Sequence, residues 1–99
     1  MEERCPFQDT LELLGRKHTL GVLRLLVVKN PRRFTELQRG MAVNPKVLTA
    51  RLRELVKAGI LARSAFGEIP PRVEYSLTPK GQELVKLFGH IEAWHRVYV

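Results

Sequence analysis

The 99-residue sequence predicts a mainly α-helical domain with a small β-wing, a winged helix-turn-helix whose N- and C-terminal helices form a dimer interface. Three observations carry that prediction. The stretch Asn44–Gly59, NPKVLTARLRELVKAG, reads as a short amphipathic helix with both ends marked and a cationic outer face. After Gly59 the apolar spacing changes from three or four residues to strict alternation, with Gly67-Glu68-Ile69-Pro70-Pro71 as a loop between two extended runs. The positive charge is concentrated: from Arg32 to Arg72 nine cations stand against three acids, so this stretch holds +6 of the net +7. A balanced frame around a basic middle points to a surface for a polyanion.

Composition bounds the rest. Hydrophobic residues make up 44% and charged residues 27%, as in a soluble globular domain with one modest core. A single cysteine excludes an internal disulfide. No apolar run is long enough to span a membrane and MEERCPF lacks a signal-peptide core, so a cytoplasmic location is expected.

In chain order, Pro6 to Leu14 reads as a helix with Phe7, Leu11 and Leu14 on one stripe, broken by Gly15, Arg16 and Lys17. A second helix, from about Thr19 to Val28, is apolar almost all round and is expected at the centre, with Arg24 as its exit to solvent. Asn30-Pro31-Arg32 makes a turn. Phe34 then begins a short extended piece, and Thr35 is expected to cap a third helix, Glu36 to about Gly40, with Leu37 inward. Met41 to Val43 turns into the fourth helix, about 45–57.

That fourth helix has its termini written in the chain. Asn44 is a favoured N-cap, and Pro45 suits the first helical position because its missing N–H would be unpaired there anyway. Lys57 suits the negative pole of the dipole, and Gly59 suits the left-handed residue that ends a helix. Leu48, Leu52, Leu55 and Val56 form the core stripe, while Lys46, Ala50, Arg53 and Lys57 point the other way, with Thr49 at the flank. Short side chains among cations suit a helix that enters the DNA major groove; a solvated surface helix is the plainer alternative. A short helix, a tight turn and this helix together match a helix-turn-helix.

The wing spans about 61–77, with Val73, Tyr75 and Leu77 on one face. Arg63 and Arg72 lie at its base and rim, within reach of phosphate or the minor groove. Thr78-Pro79 repeats the N-cap-then-proline device and opens a helix of about 79–97. Its apolar residues Leu84, Leu87, Phe88, Ile91, Trp94 and Tyr98 recur three or four apart, and nothing later in the chain covers them. Part of that stripe can pack on the first helix and its end needs a second subunit, so the dimer interface is expected at Leu11, Leu14, Leu84, Leu87, Phe88, Ile91, Trp94 and Tyr98.

The pieces CPFQDTLELLGRKHTLGVL, RRFTELQRGM, KVLTARLRELVKAGIL and PPRVEYSLTPKGQEL, with AWH near the end, resemble the HxlR-type winged-helix transcription regulators, relatives of the MarR group. The resemblance covers nearly the whole chain. It implies a dimeric DNA-binding repressor or activator, a recognition helix at Pro45 to Lys57, a wing at Phe66 to Arg72, and a dimer interface made by the first and last helices. The sequence departs from the family where Gly15-Arg16-Lys17-His18 stands in place of a Gly-Gly-Lys-Trp pattern, which exchanges a space-filling indole for a titratable ring. Some members sense oxidants through a cysteine placed like Cys5. A helix N-terminus and the adjacent Arg4 would favour its thiolate, and an inert interfacial thiol is the alternative.

The expected contacts are therefore Lys46, Thr49, Ala50 and Arg53 in the major groove, Asn44 and Pro45 at the helix N-terminus near phosphate, Arg32, Arg33, Thr35 and Gln38 on the backbone, and Arg72 at the adjacent groove. Partners are double-stranded DNA and a second copy of the chain, with no membrane, cofactor or metal; the sequence names no small-molecule effector. His90 and His95 are five apart rather than the four that place two ligands on one helical face, and no nucleophile has an evident base, so an enzyme is not expected. An RNA-binding or ribosome-associated winged helix would want exposed aromatics for stacking, and only Phe66 lies near the wing. A protein-interaction module would bind DNA weakly and without sequence preference.

Overall fold

A computed structural model describes residues 5–99. Five helices and three strands follow in the order α1 (Pro6–Leu14), α2 (Thr19–Val28), β1 (Arg32–Arg33), α3 (Phe34–Met41), α4 (Pro45–Lys57), β2 (Leu61–Phe66), β3 (Arg72–Leu77) and α5 (Pro79–Tyr98). The mostly helical chain with its wing is the fold class expected from the sequence.

The core collects one stripe from each element. Val22, Leu23 and Leu26 of α2, Leu37 of α3, and Leu48, Leu52 and Leu55 of α4 are fully buried, closed by Ile60, Leu61, Tyr75 and Leu77. In β3 the alternation holds: Tyr75 and Leu77 face the helices, while Arg72, Glu74 and Ser76 lie on the opposite face.

Three local expectations need correcting. Arg33, not Thr35, is the N-cap of α3, and the helix starts at Phe34. The cause is Glu36, whose Oε1 accepts the Arg33 N–H at 2.9 Å and so serves the helix start from inside the first turn. α2 is not covered all round: its buried face is Thr19, Val22, Leu23 and Leu26, while Leu20, Val27 and Val28 are exposed. The wing is a three-stranded antiparallel sheet in the order β1-β3-β2, because Arg32 and Arg33 pair with Tyr75 and Glu74. Asn30 extends that join, its Oδ1 accepting the Leu77 N–H at 3.0 Å.

The termini of α4 and the start of α5 form as expected. Asn44 Oδ1 accepts the Lys46 N–H at 2.8 Å. At the other end Gly59 takes a φ of +78°, and the N–H groups of Gly59 and Ile60 return to the carbonyls of Val56 and Leu55. Thr78 caps α5 through the Gly81 N–H, and its hydroxyl donates to the Gly59 carbonyl at the end of α4.

α5 is an arm. Leu84, Val85 and Phe88 pack on the core, but every residue from Gly89 to Val99 is exposed. The radius of gyration is 14.8 Å, above the ~13 Å expected of a compact chain this long.

Candidate nucleic-acid interface

The outer face of α4 is formed by exposed Pro45, Lys46, Ala50, Arg53 and Lys57, with Thr49 half-buried between them. Its N-terminus, the positive end of the helix dipole, opens beside Pro45 and Lys46. A shallow depression of about 340 Å³ lies along this face, lined by Pro45, Lys46, Thr49, Ala50 and Arg53. A second one, about 640 Å³, runs between α3, α4 and the wing; Arg33, Thr35, Thr49, Arg53, Arg63 and Arg72 contribute to its walls. Thr49 and Arg53 belong to both, so the two form one surface that continues from α4 to the wing.

The electrostatics of that surface are set by where the acids go. Each of the three acids between Arg32 and Arg72 is engaged away from the outer face of α4. Glu36 caps α3 and lies 3.6 Å from Lys29 Nζ. Its bond from the Arg33 N–H, aided by Lys29, holds its carboxyl below the usual carboxylate range. Glu54 accepts Arg51 at 2.6 Å and has Arg16 at 3.7 Å. Glu68 lies 3.3 Å from Arg72. Among the described residues, Arg33, Lys46, Arg53 and Arg63 have no acidic partner, which leaves their charge for a ligand.

The structure therefore brings together Arg33, Thr35, Pro45, Lys46, Thr49, Ala50 and Arg53. It treats four others differently. Arg32 faces the end of α2, where its Nε donates to the Leu25 carbonyl at 2.7 Å, because neighbours on a strand point to opposite sides. Gln38 is half-buried and lines neither depression. Asn44 spends its oxygen on the cap. Arg72 does border the larger depression, but it lies over the ring of its cross-strand neighbour Phe66, 4.1 Å from the centroid, with Glu68 and Glu74 beside it at 3.3 and 3.4 Å. Arg63, by contrast, pairs with Tyr75 and so shares the helix-facing side of the sheet. Its place two residues after buried Leu61 was the signal that it lies on the same side as α4.

On the far side, α1, α2 and α5 enclose an apolar groove of about 730 Å³ whose walls include Leu11, Leu14, Leu20, Phe88 and Ile91. Leu87, Ile91, Trp94 and Tyr98 are exposed, while Leu14, Leu84 and Phe88 are half-buried. The Trp94 and Tyr98 ring centroids are 5.7 Å apart. The exposed apolar face of α2 thus continues that of α5. Cys5 is exposed at the N-cap of α1, with its carbonyl accepting the Asp9 N–H at 3.0 Å. Arg4, expected to act on its thiol, lies outside the described residues.

Residues 13–99 match the description of HxlR-like helix-turn-helix proteins. The chain belongs to the HxlR-like family. Among the relatives of this HxlR-like protein is the uncharacterised HTH-type transcriptional regulator YdeP of Bacillus subtilis, 34% identical over 97 residues, which are 97% of this chain and 75% of YdeP. A solved structure of a MarR-family transcriptional regulator from Enterococcus faecalis superposes with a TM-score of 0.86 at 32% identity, covering 99% of this chain and 89% of that one. The reduced form of the transcriptional regulator YodB from Bacillus subtilis superposes with a TM-score of 0.83 at 31% identity, covering 97% and 95%. No described helix of this HxlR-like chain is long and apolar enough to cross a membrane.

Proposed function

We propose that this HxlR-like protein is a transcriptional regulator that binds specific duplex DNA as a homodimer. One observation carries the reading: three cations without acidic partners, Arg33, Arg53 and Arg63, converge from β1, α4 and β2 on one groove that continues along the short-side-chain face of α4. A duplex presents a groove for the helix and flanking phosphates for the cations. Lys46, Thr49, Ala50 and Arg53 face base edges. Arg33, Arg63 and the α4 N-terminus hold phosphate, with Thr35 beside them. Gln38 and Asn44 stand at the edge of this contact.

The unpaired arm supports the dimer. Ile91, Trp94 and Tyr98 are largely exposed among the described residues, and a two-fold copy of α1 and α5 would bury them while setting two recognition helices about one DNA turn apart. An RNA reading is disfavoured because the ring near the groove, Phe66, already carries Arg72 over its face. Oxidant sensing through Cys5 is a further element of the reading, supported by its exposure and by likeness to YodB, which is solved in reduced and diamide-treated forms. It predicts that diamide changes DNA affinity in the wild type and not in Cys5→Ser.

Selection of binding sites from genomic DNA tests the whole reading, and a palindromic site is expected. On that site Arg53→Ala loses roughly 1–3 kcal/mol and relaxes one base position, whereas Arg33→Ala weakens all sequences alike and lowers the salt slope by about one. Identical behaviour of the two variants on specific and random DNA would refute this division of roles.

A further inference from the structure

We propose that the wing enters the DNA minor groove with an apolar tip, Ile69, and that Arg72 is the strut behind that tip rather than the residue that reads the groove. The inference rests on the duplex-DNA reading above and names what the wing does within it.

Three features of the loop point the same way. Ile69 is fully exposed at 101% of its reference area, touching no part of its own domain. It sits in a bend and is followed by Pro70 and Pro71, which lack backbone N–H groups and have a fixed φ, so the loop that carries the side chain is stiff. An isoleucine held out in this way contributes nothing to the fold and exposes apolar surface to water, a cost relieved only when something apolar covers it.

The cation that would otherwise do the reading is committed elsewhere. Arg72 lies across Phe66, its cross-strand neighbour, with its guanidinium shared between Glu68 and Glu74. In the strand alternation Arg72 shares a face with Glu74 rather than with Val73 and Tyr75, so its charge is spent on neighbours within the ribbon even where it borders the groove beside α4. The effect of those contacts is to neutralise Glu68, the acid in the loop, which would otherwise meet the phosphates with its charge uncovered. Arg72 thus removes an unfavourable term and stiffens the end of the ribbon.

Groove dimensions complete the argument. Paired strands lie about 4.8 Å apart before side chains are added, and the minor groove is about 6 Å wide, so only the end of a ribbon enters it. The sugars lining that groove offer apolar walls, and Ile and Pro are among the side chains that wedge between base steps there and bend the duplex. A flexible pyrimidine–purine step beside the half-site would be easiest to open.

The test uses the full chain and the duplex recovered by site selection. Affinity, salt dependence and DNA bending by circular permutation are compared for wild type, Ile69→Ala and Ile69→Leu. Since Ile69 lies in solvent, both variants should unfold at the wild-type temperature. Ile69→Ala should bind roughly tenfold more weakly with an unchanged salt slope, because no phosphate contact is lost, and should bend the DNA less; Ile69→Leu should stay within about twofold of wild type. Replacing a TA step beneath the wing by a GC-rich step should weaken wild type more than Ile69→Ala. Wild-type affinity and bending in Ile69→Ala overturn the proposal, and the tip would then face some other partner. If Arg53→Ala still fails on the same duplex, the recognition-helix reading survives that result. If wild type shows no preference for any duplex, both fall.

Discussion

Replacing Gly81 by alanine is expected to destabilise the protein, although helix propensity alone predicts the opposite. Gly81 is buried in the first turn of α5, where a Cβ would stand 2.2 Å from the Ile60 carbonyl oxygen and 3.1 Å from its carbon. Both opposing atoms are backbone, so no rotamer change relieves the overlap; α5 must move off the start of β2 by roughly 1 Å to restore contact distance. The same carbonyl accepts the Thr78 N–H at 3.0 Å and approaches its hydroxyl at 3.1 Å. Opening the joint weakens both bonds, at roughly 0.5–1.5 kcal/mol each. Overpacking adds roughly 1–3 kcal/mol, and alanine returns about 1 kcal/mol of helix propensity. The net is about 2 kcal/mol of destabilisation, or a Tm lower by about 8–16 °C for a domain of this size. Thermal unfolding by circular dichroism, at matched protein concentration because the Tm of a dimer depends on concentration, measures it. An unchanged or higher Tm would show that the approach of α5 to Ile60 is looser than described.

Asn44→Ala removes the oxygen that receives the Lys46 N–H, and urea unfolding should register a loss of about 1 kcal/mol, with Asn44→Asp close to wild type. Trp94→Glu should shift sedimentation toward the monomer while leaving the far-ultraviolet spectrum intact, since Trp94 touches solvent rather than the core; a persistent dimer would place the interface elsewhere. Glu36 carries a lowered folded-state pKa, so its contribution is present at neutral pH, above its unfolded value, and is lost as acid titrates it through the folded value. Glu36→Gln should therefore flatten the acid side of the stability profile without affecting its alkaline side.

What was legible in the sequence was whatever is local. The two Asx/Thr–Pro starts, at Asn44-Pro45 and Thr78-Pro79, involve neighbours within three residues and formed as read. The alternation of Val73, Tyr75 and Leu77 needs only the two-residue period of a strand. What escaped was whatever depends on a distant partner. A strand of two residues, β1, has no periodicity to detect and exists because β3 offers an edge. Arg32 and Arg33 are adjacent and chemically alike, yet one serves the end of α2 and the other the groove, which only the sheet register decides. That Arg72 is shared with Glu68, Glu74 and the Phe66 ring was equally hidden, because those partners had no known positions.

Thr78 shows how a local feature hides a longer one. As a cap it organises α5; through its hydroxyl it also grips the Gly59 carbonyl, and Lys80 Nζ reaches the Ala58 carbonyl at 2.7 Å. The carbonyls left open just past the end of α4 are thus filled by the first residues of α5. α4 and the arm share one joint, and Gly81 is the residue small enough to let it close. In a two-fold dimer built on the arms, the separation of the two recognition helices follows from the angle at that joint. A perturbation there should alter the preferred half-site spacing as well as stability, whereas one in the exposed end of the arm should alter only the strength of pairing.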